Sequence, residues 1–143
     1  MALAGYESLS GAGLRVTLSD GGPINPRLKA DSFTPGLVHD YDLLALVNEL
    51  RGQGARGIAV GGVRLTNQSA IRAVGPTILV DRQALKAPFV VEAVGNGALI
   101  KSYLELKQGV MEQMRQTGIK SKVEALPIVT LKAAPLPIGV AAK

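Results

Sequence analysis

The chain has 143 residues, of which 47% are hydrophobic but only 3% aromatic, and a formal net charge of +5. That length suits one domain, able to bury roughly 68–70% of its unfolded surface around a core of Val, Leu, Ile and Ala. With no Cys, disulfides, thiolate metal sites and cysteine nucleophiles are excluded. The cations are dispersed from Arg15 to Arg115, with no closer grouping than pairs two residues apart such as Lys120 and Lys122. Without a clustered basic face, and with few aromatics to stack bases, nucleic acid is not an expected partner. No apolar run approaches the ~20 residues of a membrane helix, and 1–13 lacks the charged start and apolar stretch of a signal peptide.

Residues 1–12 are small and polar and read as a flexible lead-in. Leu14, Val16 and Leu18 alternate with polar residues, which predicts a first strand with those three inward. Ser19–Pro35 is a loop broken by Gly21, Gly22, Pro23, Pro26 and Pro35. A helix follows, with Asp40 as its expected N-cap and Asp42 favouring the positive end of the dipole. Leu43, Val47 and Leu50 recur at helical spacing, with Leu44 and Leu46 widening the stripe. Gly52 and Gly54 stop it. Ile58–Val60 reads as a buried strand and Gly61-Gly62 as a two-residue hairpin turn. Val63–Thr66 alternates, which predicts a strand with Arg64 on a wet face.

Ala70–Val74 and Thr77–Val80 are further short strands, separated by Gly75-Pro76, and Asp81-Arg82 turns the chain towards 83–85. Phe89–Val94 is another strand, and Gly95-Asn96-Gly97 leads from it into a helix. Leu99, Ile100, Tyr103 and Leu104 set the expected buried side of that helix. Gly109 divides it from another that carries Val110, Met111 and Met114 inward. Val123 and its neighbours supply a last strand. Residues 127–143, with Pro127, Pro135 and Pro137, read as a proline-rich surface tail, so the single domain spans 13–126. This order predicts an α+β fold: a ferredoxin-like α/β plait, a mostly antiparallel sheet with two or three helices on one face. The strands within Ala70–Leu85 form an extra β-hairpin.

Little chemistry is poised along this scaffold. His39, Asp40 and Asp42 form a surface cluster, but their spacing matches no usual zinc or calcium pattern. The lone histidine has no catalytic signature around it. The glycines of Gly52–Gly62 lead out of a helix into a hairpin, the reverse of a phosphate loop. Gly95, Asn96 and Gly97 are better placed for an anion or ligand, since a strand feeds a helix there. They lack the Lys and Ser/Thr of the P-loop. Met111 and Met114 read as core. No catalytic residue, metal or cofactor is expected.

The segments LVHDYDLLALVNEL, GARGIAVGGVRLT, SAIRAVGPTILV and APFVVEAVG, in that order and spacing, resemble the DUF881 family of bacterial proteins over Gly13–Ala125. The resemblance implies a plait close to the ferredoxin-like fold. It also implies a membrane anchor and coiled coil ahead of such a domain, and a link to the cell envelope or division. It supplies no catalytic residue. The expectation is therefore a non-catalytic interaction or scaffold module with a protein partner. The domain itself would be soluble and extracytoplasmic, membrane-associated only through a segment ahead of Met1, and a monomer or weak dimer in isolation. The alternative is a small-ligand-sensing plait, an expectation by fold analogy.

Overall fold

A computed structural model of the chain describes residues 5–21, 36–75, 77–106 and 108–135. The expected alternation of Leu14, Val16 and Leu18 lies inside a longer strand, β1 (Leu9–Ser19), with those three side chains fully buried. Helix α1 (Asp40–Gly52) follows, then β2 (Gly57–Val60), β3 (Val63–Arg64), β4 (Ile71–Val74), β5 (Thr77–Val80) and β6 (Gln83–Leu85). The chain continues as β7 (Phe89–Val94), α2 (Gly97–Leu104), α3 (Val110–Gln116) and β8 (Lys120–Leu131).

The fold is α+β. Five strands form an antiparallel sheet in the order β3-β2-β7-β1-β8. Within it, α1 connects β1 to β2, and α2 with α3 connects β7 to β8, so β2-β7-β1-β8 is the split βαβ arrangement of a ferredoxin-like plait. The β2–β3 turn is Gly61-Gly62, with φ of +57° and +81°, the left-handed conformation a two-residue hairpin requires. The expected extra hairpin is β4-β5, and Gln83–Leu85 pairs back onto β5, which makes it a separate three-stranded sheet, β4-β5-β6.

All three helices bury their apolar sides in one core with Leu14, Val16, Leu18, Ile58, Val60 and Val91 of the sheet. From α1 come Leu43, Leu46, Val47 and Leu50, while Leu44 is exposed. Ile100 and Leu104 of α2 and Met111 and Met114 of α3 complete it. Leu99 and Tyr103, expected inward, are on the outside.

The tail expected from residue 127 begins as strand. β8 continues to Leu131, and Val129 and Leu131 are buried with Ala59 and Val94 in a second cluster, backed by Leu9 and Leu126. By strand alternation this cluster lies on the sheet face away from the helices. Gly11 pairs with Val129 and Gly13 with Leu126, so β8 has one extra residue around Pro127-Ile128. A bulge on an edge strand is where a sheet tolerates proline. Correspondingly, residues 9–12 of the expected lead-in belong to β1. Residues 1–4, 22–35 of the long loop, and 136–143 of the tail lie outside the described residues.

Candidate functional site

The start of α1 carries the first predicted cluster. Asp20 Oδ1 accepts the Val38 N–H at 2.9 Å, which delivers the chain to the helix. His39, rather than Asp40, is the N-cap. Its backbone is extended (φ −106°, ψ 166°), and Asp42 Oδ2 accepts its N–H at 2.8 Å, the third-residue half of a capping box. The same carboxylate oxygen lies 3.5 Å from His39 Nδ1, and the His39 ring stacks on Tyr41 at 4.8 Å. Asp40 is one residue inside the helix. Its carboxylate accepts the Tyr41 N–H at 2.9 Å and the Ala73 N–H at 3.1 Å, which ties α1 to β4. Desolvation, followed by the charges of Asp42 and Asp40, raises the Tyr41 phenol above its ordinary pKa. The cluster thus has structural work at both carboxylates, and among the described residues no three His, Asp or Glu side chains gather as a metal site.

The second predicted cluster begins α2. Asn96 is its N-cap, with Oδ1 accepting the Leu99 N–H at 3.2 Å. The Gly95 N–H donates to the Ala12 carbonyl at 2.8 Å. A Cβ on Gly97 would stand 1.9 Å from the Gly13 carbonyl oxygen, so the absence of a side chain lets the helix start sit directly on β1. The Asn96 carbonyl oxygen takes up a helix N–H that an anion would otherwise meet.

Two features of the structure were not marked by the sequence. One is the outer side of α2. Leu99 is 48% exposed, Tyr103 one turn later is 42%, and Leu106 just past the helix is 57%. The other is Arg64, 4% exposed and the one buried charged residue among those described. In register, Arg64 faces Ala59 of β2, and its Nη2 stands 3.0 Å from where a Cβ on Gly57 would be. Small residues on β2 thereby leave room for the guanidinium. Its Nη1 donates to the Glu7 carbonyl at 2.7 Å and the Lys132 carbonyl at 3.2 Å, while Nε has no partner among the described residues. Burial pulls this guanidinium below its ordinary pKa. The only signal in the sequence is the small-residue pair Gly57 and Ala59, and it has meaning only once the β2–β3 register is known. Arg64 lines a cavity of about 250 Å³ together with Arg51 at the end of α1 and Arg56 ahead of β2.

A family model described as "Bacterial protein of unknown function (DUF881)" matches residues 1–141. The chain belongs to the DUF881 family. Among curated relatives, the UPF0749 protein YlxW of Bacillus subtilis (strain 168) is 33% identical over 128 residues, which is 90% of this chain and 54% of YlxW. The UPF0749 protein Rv1823 of Mycobacterium tuberculosis (strain H37Rv) is 37% identical over 90 residues, 59% of this chain and 29% of that protein. The chain therefore spans about half or less of the length of these relatives. A crystal structure of an uncharacterized conserved protein from Mycobacterium tuberculosis superposes with a TM-score of 0.78 at 21% identity, covering 99% of this chain and 94% of that one. That likeness shows the fold of this DUF881 domain is shared. No helix among its described residues is long and apolar enough to cross a membrane.

Proposed function

We propose that this DUF881 domain is a non-catalytic interaction module, a folded head that docks a protein partner on behalf of a membrane-tethered bacterial protein of the envelope or division apparatus. The observation that carries the reading is the outward side of α2. Leu99, Tyr103 and Leu106 remain in water, although burying apolar surface is worth about 25 cal/mol per Å². Tyr is enriched at protein interfaces, and the Gly97–Gly13 contact seats the helix firmly on the sheet, so a partner would meet a surface already in place. The use of Asp40 and Asp42 as backbone acceptors favours recognition over catalysis at the α1 start. The tether and the envelope setting rest on the family resemblance. A second reading, a small-ligand sensor, is favoured by the arginine-lined cavity.

The test is a photo-crosslinking residue at position 103 of the full-length protein in its own cells, with one at Ala84, exposed on β6, as control. A discrete adduct at 103 and none at 84 is the expected result. Identical backgrounds at the two positions overturn the proposal.

A further inference from the structure

We propose that the cavity between the end of α1, β2 and β3 binds a phosphate monoester group, presented by a small soluble metabolite or by a lipid headgroup. Arg51 at the end of α1, Arg56 in the loop between α1 and β2, and Arg64 on β3 line it, and Thr66 and Asn67 add polar groups, with no Asp or Glu among the lining residues. None of the ion pairs recorded among the described residues involves these three arginines. Three like charges gathered without a counter-charge repel one another, and a dianion in their midst reverses the sign of that energy.

The site is built rather than incidental. Arg64 is 4% exposed, and the bonds from Nη1 to the Glu7 and Lys132 carbonyls fix its plane. Its Nε–H is left without an acceptor among the described residues, an uncommon condition for a buried donor. The negative end of α1 is also covered. The N–H groups of Gln53, Gly54 and Ala55 already bond the carbonyls of Glu49, Arg51 and Leu50, so the helix end offers an anion little exposed carbonyl charge.

Size and chemistry select the ligand. About 250 Å³ lies below the range of roughly 300–1,000 Å³ that encloses a drug-sized molecule, which suits a phosphoryl headgroup rather than a whole nucleotide. Planar guanidiniums match phosphate oxygens in pairs, and a dianionic monoester neutralises more of the +3 than a carboxylate does. The proposal uses no residue of the α2 surface, so it stands or falls separately from the docking reading.

The test uses glycerol 3-phosphate in calorimetric titration, with acetate at matched ionic strength as control. In parallel, phosphatidylcholine vesicles are sedimented with phosphatidic acid or, as a diester control, phosphatidylglycerol. Arg51→Gln and Arg56→Gln alter exposed side chains, and unchanged melting without ligand confirms their fold. Saturable binding of glycerol 3-phosphate, or of phosphatidic acid vesicles, is expected, weakened about tenfold or more in each variant. Binding of the soluble ester assigns a metabolite source, and binding of the vesicles alone assigns a headgroup. Three results overturn the proposal: no saturable binding of either probe, equal binding of acetate or phosphatidylglycerol, or binding that both variants leave intact.

Discussion

Arg64 holds Lys132 against the sheet: Nη1 of the buried guanidinium donates to the Lys132 carbonyl at 3.2 Å, although 68 residues of chain separate them. The same nitrogen reaches the Glu7 carbonyl at 2.7 Å. One side chain on the short strand β3 therefore joins the segment ahead of β1 to the segment after β8. The second apolar cluster, with Val94, Val129 and Leu131, lies on the same side of the sheet.

Arg64→Ala should lose both bonds. A hydrogen bond from a charged donor contributes about 1.5–3 kcal/mol, partly offset because a buried cation no longer has to be desolvated. A net loss of roughly 2–3 kcal/mol is expected in urea denaturation, with Arg64→Lys intermediate. A change below about 0.5 kcal/mol, the level of an ordinary surface substitution, would show that the two ends are held by other contacts.

Two glycines should respond in opposite directions to alanine. At Gly97 the new Cβ meets the Gly13 carbonyl oxygen at 1.9 Å. Backbone must move, and overpacking of this kind costs about 1–3 kcal/mol or more. At Gly52, the last residue of α1, nothing lies within 4 Å of the added carbon. Gly52→Ala should gain up to about 0.5–1 kcal/mol through helix propensity. Thermal melts of the two variants decide the matter, and a stabilised Gly97→Ala would contradict the close seating of α2 on β1.

The two sides of α2 should separate cleanly. Ile100→Ala empties a fully enclosed position and should cost about 2–5 kcal/mol. Leu99→Ser and Tyr103→Ser change exposed positions and should each stay within about 0.5 kcal/mol of the parent. Denaturant titration of the three variants measures this. Comparable losses at Leu99 and Ile100 would place both in the core.

The parts of the fold that were legible in the sequence are those set by local pattern. The Leu43, Val47, Leu50 stripe, the Gly61-Gly62 turn and the inward Met111 and Met114 need only periodicity and backbone sterics. In helix α2 periodicity alone does not distinguish the buried side, because Leu99, Ile100, Tyr103 and Leu104 are apolar on adjoining sides of an eight-residue helix. The contact of Gly97 with Gly13, distant in sequence, selects which side is buried. Pro127 suggested a tail, whereas an edge position and a bulge accommodate it in β8. Arg64 looked solvent-facing from β3 alone. The ends of the chain that cover it are visible only in three dimensions.

The docking role of α2 is tested most directly by crosslinking from position 106 of the full-length protein in two backgrounds, parent and Leu99→Ser/Tyr103→Ser, with melting temperatures measured on both. The expected result is a discrete adduct in the parent and its loss in the double variant, at equal stability. An adduct of undiminished yield in a stably folded double variant would contradict the assignment of the partner surface to α2.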